Sequence, residues 1–122
     1  MKHRIEKLRA RLSETGGDAF FSLSRPANQY LAGFTGSTSA VVITQTEAHF
    51  LCDFRYTEQA GTQVSDFEVS EVSGSLLTRL GERLANVGAT SAVFEPQALT
   101  VAEREEIEKA FGGALTPDKE IV

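Results

Sequence analysis

Two runs of β-branched and apolar residues, 39–44 (SAVVIT) and 48–52 (AHFLC), stand only three residues apart. Gln45-Thr46-Glu47 can close an antiparallel hairpin, whereas a parallel crossover needs a dozen or more residues. Elsewhere the chain alternates short apolar runs with segments of helical period, the pattern that builds parallel crossovers. A hairpin set into such an alternation leaves one economical solution: a mixed β-sheet with helices packed on it, an α/β domain.

The other elements follow from local chemistry. Met1, Ile5, Leu8 and Leu12 recur at helical spacing and predict an amphipathic helix that ends at Gly16-Gly17. Its basic residues Lys2, Arg4, Lys7, Arg9 and Arg11 read as a solvated face. Residues 18–23 (DAFFSL) predict a buried strand, and "PANQYLAG" a short helix opened by Pro26 and closed by Gly33. Asp53 stands as the N-cap of a helix over "FRYTEQAG", with Tyr56 and Ala60 on one face. Residues 67–72 (FEVSEV) predict a strand. Leu76, Leu77, Leu80, Leu84 and Val87 form a helical stripe stopped by Gly88, and residues 91–95 (SAVFE) a further strand ended by Pro96. Thr100 and Glu103 make a capping box for a helix with an apolar face of Ile107, Ala110 and Phe111 and a Glu105–Lys109 pair at i, i+4. After Gly112-Gly113, "ALTP" supplies the last of about six strands. A length of 122 residues fits one domain with its own core.

A net charge of −5 argues against nucleic acid as a partner, because phosphate binding needs clustered Lys and Arg. The lone Cys52 cannot form an internal disulfide, so a reducing, cytoplasmic setting is expected. The opening Met1-Lys2-His3-Arg4 is followed by more charge and is unlike a signal peptide. No apolar run approaches membrane-spanning length, so no membrane partner is expected.

Few residues offer chemistry. His3 and His49 lie in no ligand cluster, and His49 reads as the outward residue of an alternating strand. Asp18, Asp53, Glu58 and Asp66 could hold ions only by converging at strand ends, and Asp18 and Asp53 have simpler roles as a strand-entry residue and a helix cap. Cys52, inside an apolar strand, reads as a small core residue. The serines at 22, 24, 37 and 39 lack the G-x-S-x-G elbow, and Gly33-Phe34-Thr35-Gly36-Ser37 lacks the Lys of a phosphate-binding loop. No catalytic and no metal-ligating residue is assigned. Arg55 remains: in a first helical turn it opposes the helix dipole, so it either stands in solvent or is placed to meet an anion or a peptide carbonyl.

Residues 27–60 resemble the N-terminal domain of the creatinase/prolidase group, which includes Xaa-Pro aminopeptidases and Xaa-Pro dipeptidases. The resemblance rests on Asn28, Tyr30-Leu31, Gly33-Phe34-Thr35-Gly36-Ser37, the strand ending Ile43-Thr44, and Asp53-x-Arg55-Tyr56 followed by Gln59-Ala60. "DAFF" and "VFEP" agree in order, so it covers essentially all of residues 1–122. The family often has Gly where Ser39 stands and Thr where Cys52 stands.

The resemblance implies a ribonuclease-H-like mixed sheet with flanking helices. It also implies a separate C-terminal catalytic domain of the pita-bread type, absent from this chain, where two Asp, one His and two Glu hold two divalent ions (Mn, Co or Zn) that activate water. The sequence ends at "TPDKEIV", about where family members enter the linker to that domain, so an excised domain of a longer peptidase is expected. The N-terminal domain would then support a homodimer and restrict entry to short proline-containing peptides. Arg55, with Phe54 and Tyr56, would contact substrate, while Gly33, Phe34, Gly36, Ser37 and Asp53 would be structural. A creatinase-like amidinohydrolase parent and a freestanding protein-binding module are the alternatives.

Overall fold

The computed structural model describes residues 2–122; Met1 of the first stripe lies outside the described residues. In chain order the elements are α1 (Lys2–Thr15), β1 (Ala19–Ser22), α2 (Arg25–Ala32), β2 (Ala40–Thr44), β3 (Ala48–Cys52), a 3-10 turn (Phe54–Tyr56), α3 (Thr57–Gln63), β4 (Glu68–Glu71), α4 (Leu76–Asn86), β5 (Ser91–Phe94), a second 3-10 turn (Pro96–Ala98), α5 (Val101–Phe111) and β6 (Ala114–Pro117). The six strands form one sheet in the order β4-β3-β2-β1-β5-β6. β2 is antiparallel to both β1 and β3, and the other pairings are parallel. Five strands therefore run one way and β2 runs against them, with the hairpin at the origin of the reversal.

Both faces of the sheet are covered. On one, Phe20, Val41, Ile43, Phe50 and Cys52 pack against Ile5, Leu8 and Leu12 of α1, Leu31 of α2 and Ala60 of α3. On the other, Phe21, Val42, Leu51 and Phe94 meet Leu80 and Leu84 of α4 and Ile107 and Phe111 of α5. Successive strand residues point to opposite faces, so double coverage explains why β1 and β2 are buried along their whole length and mostly apolar instead of alternating. Two local caps agree with the sequence: Gly33 closes α2 in the left-handed region, and Thr100 and Glu103 form a complete capping box on α5, while α2 opens on Ser24, just ahead of the expected Pro26.

Three expectations are corrected. The α1 arginines do not form a bare solvated face. Arg4 donates to the Tyr30 carbonyl at 2.8 Å, Arg9 to the carbonyls of Thr44 and Glu47 at 2.6 and 3.0 Å, and Arg11 to both Asp118 oxygens at 3.0 and 3.1 Å. Their heads fasten α1 to α2, to the β2–β3 hairpin and to the segment after β6, partners that local sequence does not reveal. His49 is not outward either. It is 6% exposed, with Nε2 3.0 Å from Glu47 Oε1 and Nδ1 3.1 Å from Arg83 Nη1, because α4 covers the face on which it stands. The i, i+4 ion pair of α5 joins Arg104 to Glu108 at 2.9 Å, not Glu105 to Lys109; Arg104 also donates to the Leu115 carbonyl and lies over the Phe94 ring.

Candidate functional site

The five like-directed strands finish at one end of the sheet, and in open α/β sheets that end is where ligands bind. Asp53 leaves β3 there. Its carboxylate accepts from the Arg55 backbone N–H at 2.9 Å, capping the 3-10 turn, and also takes the Arg55 guanidinium: Nε lies 3.1 and 3.2 Å from its two oxygens and Nη2 2.7 Å from Oδ2. One side chain thus fixes both the backbone and the head group of residue 55. These side-chain and backbone bonds hold the Asp53 carboxyl below the usual carboxylate range, and the same pairing raises the pKa of Arg55. The helix dipole argument anticipated an arginine without local benefit; the structure supplies that benefit through Asp53.

The platform under this turn is aromatic. Phe34 is fully buried, its ring 4.9 Å from that of Phe50 and 5.6 Å from that of Tyr56, both edge to face. Gly36 lies against it so closely that a Cβ there would meet the Phe34 ring at 2.4 Å, which is why the loop needs glycine. Tyr56 is half-buried, and its hydroxyl is 2.7 Å from Ser37 Oγ, tying the 33–39 loop to the turn. By contrast Phe54 is 77% exposed and the Arg55 side chain 58% exposed. Gly33, Phe34, Gly36, Ser37 and Asp53 therefore build the support, and Phe54 and Arg55 are what it presents, with Tyr56 between them and the core.

Sequence reasoning missed a second set of ties. Thr35 N–H donates to Gln63 Oε1 at 3.0 Å, Gln63 Nε2 and Gln59 Nε2 donate to Thr35 Oγ1 at 3.0 and 3.2 Å, and Arg25 donates to the Thr35 carbonyl at 2.8 Å. Gln59 and Gln63 stand at i, i+4 on α3, so they share a face; that spacing was the available signal.

The remaining candidates lie apart. Cys52 is fully buried, and burial, with the charges of Asp53 and Glu71, raises its thiol pKa; an inert core thiol follows. Among the described residues no three His, Cys, Asp or Glu side chains group as an ion would require. The described residues therefore do not fit a dinuclear metal centre. Among the described residues no helix is long and apolar enough to cross a membrane.

Fold and site together define a mixed-sheet α/β domain that offers a braced aromatic and arginine turn at the carboxyl end of its strands. The family profile described as "Creatinase/Prolidase N-terminal domain" matches residues 4–122, and the chain belongs to that family. It is 38% identical over 97 residues to the "Uncharacterized peptidase YqhT" of Bacillus subtilis (strain 168), covering 80% of this chain and 28% of that protein. Among solved structures it resembles an Xaa-Pro dipeptidase from Bacillus anthracis, with a TM-score of 0.93 and 28% identity over 98% of this chain and 34% of the other. It also resembles the N-terminal domain of the cytoplasmic peptidase PepQ from Mycobacterium tuberculosis H37Rv, with a TM-score of 0.89 and 27% identity, covering 98% and 95% of the two chains. The chain thus spans about a third or less of the two longer relatives.

Proposed function

We propose that this chain is the non-catalytic N-terminal domain of an Xaa-Pro peptidase, supporting a homodimer and forming one wall of the entrance through which short proline-containing peptides reach the catalytic site. Hydrolysis, and the pair of divalent ions it requires, belong to a separate catalytic domain. A cytoplasmic setting accords with the description of the Mycobacterium tuberculosis relative. The observation that carries the reading is the contrast within one turn: Asp53 and Tyr56 are braced, while Phe54 and Arg55 are held out to solvent. An exposed apolar ring beside a positioned guanidinium suits a proline ring and a peptide acceptor, and holding the guanidinium in place in advance lowers the entropy cost of binding.

The test is kinetic, in the full-length protein acting on Xaa-Pro peptides. Arg55→Ala is expected to lower kcat/KM by about ten- to a hundredfold, the range of one charge-assisted hydrogen bond. Arg55→Lys should recover only part, because an ammonium does not reproduce the planar fork. Unchanged kinetics would return Arg55 to the plain surface, and a large loss of melting temperature would make it a structural residue.

A further inference from the structure

We infer that Asp53 sets substrate class by neutralising Arg55, so that the turn reads a neutral peptide carbonyl, as found within a longer peptide or an amide-capped one, in preference to a free terminal carboxylate. This rests on the reading of the domain as a wall of a peptidase entrance.

The guanidinium carries five N–H donors in a fixed fork. Asp53 engages its Nε edge, through Nε and Nη2. That leaves both Nη1 hydrogens and one on Nη2 facing away from the carboxylate, on a side chain 58% exposed. The Tyr56 ring, 5.3 Å from the guanidinium carbon, further limits its swing. What a ligand meets is a directed set of donors on a pair with no net charge.

Two ligand types respond differently to such a pair. A carbonyl oxygen needs donors and little else, and the fixed fork supplies them. A carboxylate is drawn by the cation and repelled by Asp53; if it stands twice as far from Asp53 as from the guanidinium, about half of the Coulomb pull is cancelled. Its desolvation is not reduced in proportion. Asp53 remains ionised well into acid pH, because Arg55 lowers its pKa, so the cancellation holds throughout the neutral range. Asp53 is here a positioning residue acting through Arg55.

The experiment compares, in the full-length protein, kcat/KM for an Xaa-Pro dipeptide with a free carboxylate and for the same dipeptide as its C-terminal amide. Asp53→Asn keeps an oxygen for the Arg55 backbone cap and removes the charge. It is expected to shift the ratio toward the free carboxylate by about three- to tenfold, with the melting temperature unchanged, while Arg55→Gln abolishes that response in the double variant. A ratio unmoved by Asp53→Asn, or an equal loss on both substrates, would overturn the inference and leave Asp53 a cap. A strong preference of the unsubstituted protein for the free carboxylate that Arg55→Gln removes would also overturn it, since the pair would then be a carboxylate clamp. Failure of the unsubstituted protein to cleave any Xaa-Pro peptide would instead overturn the peptidase reading, and this inference with it.

Discussion

Two carboxylates at opposite ends of the sheet, Asp18 and Asp53, are used in opposite ways. At the end where β1 and β5 begin, Asp18 accepts from the backbone N–H groups of Thr90 and Ser91 and from the Thr90 hydroxyl, all at 3.1 to 3.2 Å. Burial is the largest single influence on its pKa and pushes it up, but these bonds together outweigh it and the pKa is lowered. They close the domain across a sequence separation of 72 residues. At the other end, Asp53 engages a residue two positions away, and Glu95, at the end of β5, has a buried Oε1 without a hydrogen-bond partner. Asp118, at this same end, also closes the fold through Arg11 of α1. The Asp53 turn instead holds groups in place without using them up, which is what a ligand-facing edge requires.

The hardest blow to this division would fall on the base of the presenting end. Phe34 is buried between Phe50, Tyr56 and Gly36, so Phe34→Ala removes a full aromatic side chain where the backbone cannot easily collapse. A loss of about 3–5 kcal/mol is expected from chemical denaturation, with Tyr56 fluorescence reporting a looser turn. A loss below about 1 kcal/mol would mean that the turn does not rest on the core.

Next in size is Asp18→Ala, which strips the closing end of its acceptor. The carboxylate is exposed, so water can serve the freed N–H groups, and screening reduces the cost to about 1–2 kcal/mol. Hydrogen exchange should quicken at Thr90 and Ser91 while the Asp53 turn is unaffected. Faster exchange at Arg55 would show that the two ends are coupled.

What could be read from sequence follows the same line between local and distant partners. The hairpin, the Asp53 cap, the Gly33 stop and the Thr100–Glu103 box are decided within a few residues, and all four were legible. So was the alternation that dictates a mixed sheet. The inward placement of His49 was not, because it depends on Arg83 of α4, 34 positions away. The arginines of α1 were misread for the same reason: their partners lie 26 to 107 positions along the chain. At the site, position and resemblance singled out Phe54 and Arg55 as the substrate contacts now proposed. The bracing of Arg55 was not legible, because a carboxylate that caps a turn does not announce in sequence that it also holds a guanidinium.

The smallest effect, and the one that most sharpens the comparison, concerns Glu95. Burial raises its pKa, and its Oε1 has no partner, so ionisation in the folded protein is opposed. Below the ordinary glutamate range the carboxyl is protonated in both folded and unfolded chains, and no penalty exists. As pH rises through the folded pKa, the unfolded chain has already released its proton and the folded one must follow at a cost, so stability falls. Glu95→Gln removes the charge while keeping the shape. It is expected to be more stable than the unsubstituted domain by about 1 kcal/mol at neutral pH, the low end for a buried polar group without a partner. The advantage should vanish when unfolding is measured at pH low enough to protonate free glutamate. An advantage of the same size at both pH values would trace to packing instead of charge. A loss at neutral pH would mean that the Glu95 carboxylate is stabilised by a partner, and the presenting end would then resemble the Asp18 end more than the hydrogen bonds indicate.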